Sequence, residues 1–155
     1  MSKAATDTDK IKFHFLAPRF YFPNRNALKA FLLKQLKKEG RSVEAINYIF
    51  CTDQYLLEMN LQYLNHDTFT DIITFELSTK GQPLLSDIYI SIERVKDNAR
   101  QFKTSFHREL HRVMFHGALH LAGYKDKNTA QSALMRSKED VYLNAYLISR
   151  GTKKW

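Results

Sequence analysis

Cysteine is almost missing from this 155-residue chain: Cys51 is the only one, set in the apolar stretch Tyr48, Ile49, Phe50. One thiol can form neither an internal disulfide nor a multi-cysteine zinc site, which points to a reducing compartment. No apolar run approaches the ~20 residues that cross a bilayer, and residues 1–10 are polar with no apolar signal region. The expectation is a soluble, cytoplasmic protein with no membrane partner. Prolines number three and glycines five, and no repeat, linker or low-complexity block interrupts the chain. At ~100–150 residues per domain, the length fits one domain, and an apolar fraction of 44% can fill its core.

Negative charge is the scarcer sign. Twenty-four Lys and Arg against sixteen Asp and Glu leave a formal charge of +8 and a pI near 9.6. Basic residues gather at 29–41, at 94–112, and in the tail at Arg150, Lys153 and Lys154. Such an excess suits a polyanionic partner, because cations that neutralise phosphates gain affinity through counterion release. It also suits a merely solvated surface.

Residues 1–10 read as a disordered segment, 11–150 as the domain and 151–155 as a basic tail. Apolar alternation and β-branched or aromatic content predict strands at 11–16, 43–50, 72–77 and 85–91. Between them fall a helix after Asn24 or Asn26, stopping near Gly40, and another opened by Thr52 and Asp53 and running to about 64. Helices at 92–101 and 106–121 follow, then a loop around 123–128. A last helix at 129–148 places Leu134, Val141, Ala145 and Ile148 on one face. The order βαβαββ followed by helices argues an α+β fold: a small, roughly four-stranded mixed sheet packed against about five helices.

The segment His116-Gly-Ala-Leu-His120-Leu-Ala-Gly123-Tyr-Lys-Asp126 carries the chemistry. Histidines four apart on a helix project from one face and can share a metal. Gly123 can adopt positive φ and turn the chain back, and Asp126 then falls where a third ligand is needed. Two imidazoles and a carboxylate leave a fourth tetrahedral position for water, the layout of a catalytic zinc site. The spacing equals the H-x-x-x-H-x-x-G-x-x-[HD] arrangement of zinc proteases, which need a glutamate directly after the first histidine as general base. Here that position is Gly117, so a peptidase is disfavoured, while a bound metal could still acidify water. His14, His66, His107 and His111 have no such constellation and read as solvated or locally hydrogen-bonded, His66 being the exception to watch in its polar loop.

The segment from His116 to Tyr124 resembles the H-G-x-L-H-L-x-G-Y-D-H signature of the YbeY endoribonucleases, the bacterial rRNA maturation factors. A second block, Asn60-Leu-Gln-Tyr63-Leu64-Asn-His-Asp67-Thr-Phe-Thr70-Asp71-Ile-Ile-Thr-Phe75, is similar to that family's L-N-x-x-Y-R-x-x-D-x-x-T-[ND]-V-L-S-F. A third, Ser86-Asp-Ile-Tyr-Ile-Ser91, matches G-D-I-x-I-S. The resemblance covers roughly residues 11–150. It implies a metal-dependent, single-strand-specific endoribonuclease of 16S rRNA 3′-end maturation and ribosome quality control, with one zinc ion, rRNA and the small ribosomal subunit as cofactor and partners.

Two departures stand out. The family's third histidine is Asp126 here, a competent zinc ligand whose charge should make bound water less acidic and favour oxygen-liking ions. The family's arginine after the tyrosine is Leu64, leaving Arg94, Arg108 and Arg112 as candidate phosphate contacts. Asp67, Asp71 and Glu109 are the candidate general bases, with Thr70 and Asp71 expected beside the metal, and Tyr63, Phe69 and Tyr124 could stack on bases. Two other readings stay open: a non-nucleolytic ribosome assembly factor with a structural metal, and a metal-dependent hydrolase of peptides or small molecules.

Overall fold

A computed structural model describes residues 7–65 and 69–151. Asp7–Lys10, expected within an unstructured leader, form a short 3-10 turn that feeds β1. The strands are β1 (Ile11–Phe15), β2 (Val43–Cys51), β3 (Ile72–Glu76) and β4 (Leu84–Ser91); the helices are α1 (Arg25–Lys38), α2 (Asp53–Leu64), α3 (Ile92–Gln101), α4 (Phe106–Leu121) and α5 (Thr129–Ser149). One sheet orders them β1-β2-β4-β3. β1 and β4 flank β2 in parallel, and β3 closes the edge antiparallel to β4, with Ile72 opposite Ile90 and Glu76 opposite Ser86. The mixed α+β fold read from the sequence is the fold observed.

The two sheet faces are covered unequally. On one face Ile46, Tyr48, Phe50, Ile88 and Ile90 pack with residues of α1, α4 and α5 in the main core. On the other, α2 lays Leu56 and Met59 against Cys51, Ile73, Phe75 and Tyr89. Side-chain oxygens of Thr52, Ser91, Ser105 and Asn128 accept amide hydrogens of the first turns of α2, α3, α4 and α5, satisfying donors with no partner inside the helix. Asn24 stands at the start of α1 but in left-handed backbone (φ 61°) with no side-chain cap.

α4 is the central helix, buried on most of its circumference from Glu109 to Leu121, and the Tyr48 hydroxyl donates to the Met114 carbonyl at 3.0 Å. Gly117 lets it approach the sheet: a Cβ there would stand 2.9 Å from Ile72 Cδ1 and 3.2 Å from Ile88 Cγ2. On α5 the buried stripe is Met135, Glu139, Tyr142, Leu143, Tyr146 and Leu147. Leu134, Val141 and Ile148 of the expected face are instead exposed, because the neighbouring stripe brings the larger tyrosine rings to α1 and α4. Among the described residues no helix is long and apolar enough to cross a membrane.

Candidate metal centre

α4 ends in hydrogen bonds from Tyr124 N to Leu119 O and from Gly123 N to His120 O, both 3.0 Å, with Gly123 at φ 107°. This paired 6→1 and 5→2 closure is the left-handed helix stop that glycine favours, and it folds the following loop back beside the helix. Asp126 Oδ2 thereby reaches 3.2 Å from His116 Nε2 and 3.3 Å from His120 Nε2, while the two Nε2 atoms are 3.0 Å apart. Bonds of about 2.0–2.1 Å at tetrahedral angles set ligand atoms about 3.3 Å apart. The three atoms fit one divalent ion. Among the described residues no other His, Cys, Asp or Glu cluster has this closeness.

Neighbouring groups fix the two imidazoles in that orientation. His116 Nδ1 donates to Glu139 Oε2 at 2.6 Å, and His120 Nδ1 donates to the Tyr124 carbonyl at 2.9 Å. With both Nδ1 hydrogens engaged outward, both Nε2 lone pairs face Asp126, an arrangement of three acceptors that a cation completes. Glu139, 4% exposed, also accepts from Arg112 Nη1 at 3.0 Å, and Arg112 Nη2 donates to Asp140 at 2.7 Å. The loop is held from behind, because the Tyr124 hydroxyl donates to Glu39 Oε2 at 3.0 Å and Lys138 sits 5.2 Å from the Tyr124 ring centre. Burial would lower the His116 pKa, but the hydrogen bond and charge of Glu139, with Asp126 and Asp71, outweigh it and raise the value. Surroundings that draw a proton draw a metal ion for the same reason.

His116, His120 and Asp126 open on a cavity of about 990 Å³ between β3, α4 and α5. Thr70, Asp71 and Glu109 line it; Asp67 lies outside the described residues. Burial raises the carboxyl pKa of Asp71, against an opposing influence of His116, and Asn98 Nδ2 donates to Asp71 Oδ2 at 3.3 Å. Burial raises Glu109 as well, with Arg112 opposing. Thr70 Oγ1 is turned to the Ile72 carbonyl at 3.4 Å.

The arginines separate by their partners. Arg112 is buried and committed to two carboxylates. Arg94 holds Asp53 at 2.6 Å and lies 5.0 Å from the ring centre of Phe69, which lines the cavity. Arg108 does not line it. Leu64 does, and so does Arg136, which extends over Phe102 at 5.9 Å. Tyr63 packs edge-on against Phe75, and Tyr124 supports the loop rather than lining the cavity. His14 donates to Asn47, His107 to Tyr21 O, and His111 to His107 O, the local bonding expected of them; His66 lies outside the described residues.

Residues 22–147 match the family model described as Endoribonuclease YbeY. The chain belongs to the YbeY family. It is 54% identical over 125 residues to the Endoribonuclease YbeY of Flavobacterium psychrophilum, covering 81% of this chain and 86% of that one. The Flavobacterium johnsoniae Endoribonuclease YbeY is 50% identical over 121 residues, covering 78% and 86%. The solution structure of a Thermotoga maritima protein superposes with a TM-score of 0.60 at 30% identity, covering 88% and 90%.

Glu139 and Arg136 were not singled out from sequence. The signal for Glu139 was present: a charged residue interrupts the apolar stripe Met135, Tyr142, Leu143, Tyr146 on α5. Arg136 stands one turn earlier, on the side that meets the cavity.

Proposed function

We propose that this chain is a zinc-dependent, single-strand-specific endoribonuclease of 16S rRNA 3′-end maturation and ribosome quality control, working in the cytoplasm on the small ribosomal subunit. The observation that carries the reading is the convergence of His116 Nε2, His120 Nε2 and Asp126 Oδ2 on the wall of an open cavity, in a chain of the YbeY family. A zinc ion held by these three would supply Lewis acidity and lower the pKa of a water molecule. Asp71 is the base we assign, because it lines the cavity that holds the three ligands and burial raises its carboxyl pKa, making it a better proton acceptor than an ordinary aspartate. Arg136 offers its guanidinium to a phosphate, and Phe69, 52% exposed at the rim, offers a face for a base. Arg94 and Arg108 remain outer contacts for a longer strand, whereas Arg112 serves Glu139.

The position after the first ligand speaks against proteolysis. Gly117 faces Ile72 and Ile88, so the glutamate a zinc peptidase needs has no room there. A non-nucleolytic assembly factor is the second reading, favoured by Leu64 in the cavity wall and by the commitment of Arg112 to carboxylates. Cleavage of single-stranded RNA by the zinc-loaded protein, with His116→Ala and His120→Ala as controls, separates the two. Loss of cleavage in both variants is expected. Equal cleavage by wild type and both variants, or no cleavage by zinc-loaded wild type, overturns the nuclease.

A further inference from the structure

A second cationic surface lies on the far side of the molecule, at β1, the sheet edge opposite β3. The loop 16–24 folds Phe20 and Phe22 onto Phe13, Phe15 and Phe50, with ring centres 5.1–5.8 Å apart. Cations are spread over these rings. Arg19 and Arg25 each lie 5.2 Å from the centre of Phe15, Lys29 lies 4.9 Å from Phe13, and Lys96 lies 5.9 Å from Phe106, which packs on Phe20.

Among the described residues no carboxylate forms an ion pair with Lys12, Arg19, Arg25, Lys29 or Lys96, whereas Arg41, Arg94, Arg112 and Lys138 are all paired elsewhere. The Lys29 ammonium is destabilised by burial and then by the nearby charges of Arg25 and Lys12, with only Asp9 opposing. Tyr21, 77% exposed, stands in the same loop, and His107 Nε2 donates to its carbonyl at 2.6 Å, tying the loop to the start of α4. From His107 to the ligand His116 the helix rises about 14 Å at 1.5 Å per residue.

We propose that this surface, built from Lys12, Arg19, Arg25 and Lys29 with Tyr21 beside them, is a second RNA-docking site that grips the phosphate backbone of the strand outside the metal cavity. Unpaired cations interleaved with aromatic rings suit a single strand, which offers phosphates and base faces together. An anionic membrane would need a continuous apolar face to insert, and here the rings lie beneath guanidinium and ammonium groups. The site rests on the RNA reading of the metal centre and determines which strands reach it: a long strand engages both surfaces, while a short oligonucleotide fills only the cavity.

The test replaces all four cations (Lys12→Gln, Arg19→Gln, Arg25→Gln, Lys29→Gln). A milder variant, Lys12→Glu with Arg19→Glu, changes only exposed positions in case the first loses its fold. Binding of a long labelled single strand is followed by fluorescence anisotropy, with chelator present so that nothing is cut. In folded variants, affinity should fall about ten-fold or more, and the salt slope should drop by about 0.7 per cation removed, about three for all four. The KM for a short oligonucleotide should stay at the wild-type value. Unchanged long-strand affinity in the folded variants overturns the proposal, as does equal weakening of short and long strands. So does equally tight binding of phosphatidylglycerol vesicles that the same substitutions abolish. Wild type that binds the long strand through these residues but cuts nothing leaves the docking site standing and removes the nuclease.

Discussion

Glu139→Gln separates the support of the metal centre from its ligands. The carboxylate is buried between the His116 Nδ1 hydrogen at 2.6 Å and Arg112 Nη1 at 3.0 Å. Glutamine keeps the shape and one acceptor oxygen but removes the charge. Loss of such a partner behind a metal-bound imidazole lowers metal affinity about 10–100-fold, or about 1.4–2.7 kcal/mol. Arg112 keeps Asp140 at 2.7 Å but loses the charge of its buried partner, so the metal-free fold should also weaken by about 1–3 kcal/mol. Competition of the protein against a chromophoric chelator for zinc measures the first quantity, and urea unfolding of the metal-free protein the second.

The same substitution has a pH signature. In the metal-free protein the folded pKa of His116 is raised, the attraction of Glu139, Asp126 and Asp71 outweighing burial. The stability contributed by this imidazolium is therefore fully present below the ordinary histidine value and is lost as pH rises through the raised folded value. Metal-free wild type should lose melting temperature as pH rises from the ordinary histidine value through the raised one, and Glu139→Gln should flatten that decline. Zinc binding requires a neutral imidazole, so it should strengthen over the same range. A Glu139→Gln protein with zinc affinity within about two-fold of wild type and the same pH profile would refute the assignment of Glu139 as the group that orients His116.

Other consequences follow from the cavity wall. Burial raises the carboxyl pKa values of Asp71 and Glu109, so the folded state holds their protons more tightly and stability falls as pH rises through the interval between unfolded and folded values. Asp71→Asn and Glu109→Gln should each raise the melting temperature at neutral pH, while only Asp71→Asn should cut RNA cleavage about 100-fold or more; full activity in Asp71→Asn removes it as the base. Gly117→Ala places a Cβ 2.9 Å from Ile72 Cδ1, an overpacking cost of about 1–3 kcal/mol partly offset by about 0.5–1 kcal/mol from replacing a helical glycine. Urea unfolding should show little change or a loss of up to about 2.5 kcal/mol, and a clear gain would mean the helix does not press on β3. Arg136→Ala should raise the KM for a short RNA about ten-fold with kcat nearly unchanged, as expected of a charged contact equally present in bound substrate and transition state; a selective fall in kcat would place Arg136 in the chemistry instead.

How much of this was legible in the sequence depends on how local each feature is. The strands and helices followed from alternation and end signals within a few residues, and their bounds agree with the structure to about a residue or two. The candidate ligand set was legible because it spans only His116 to Asp126, with one helix and one glycine stop converting spacing into geometry. Glu139 lies 23 residues from the histidine it orients, and its place on the buried side of α5 depends on which of two adjacent stripes packs against α1 and α4. In sequence the stripe of Leu134, Val141 and Ile148 is as apolar as the one that carries Glu139, and only packing exposes it. Arg112 posed the same difficulty, because a basic residue on a helix near a metal motif is indistinguishable in sequence from a phosphate contact until its carboxylate partners are located. Gly117 shows the converse. Its meaning in sequence was an absent protease base, whereas in the fold it is the point where α4 meets β3 and β4. The close helix–sheet contact and the exclusion of a glutamate there are one constraint, so restoring that base would require rebuilding the core beneath the metal site.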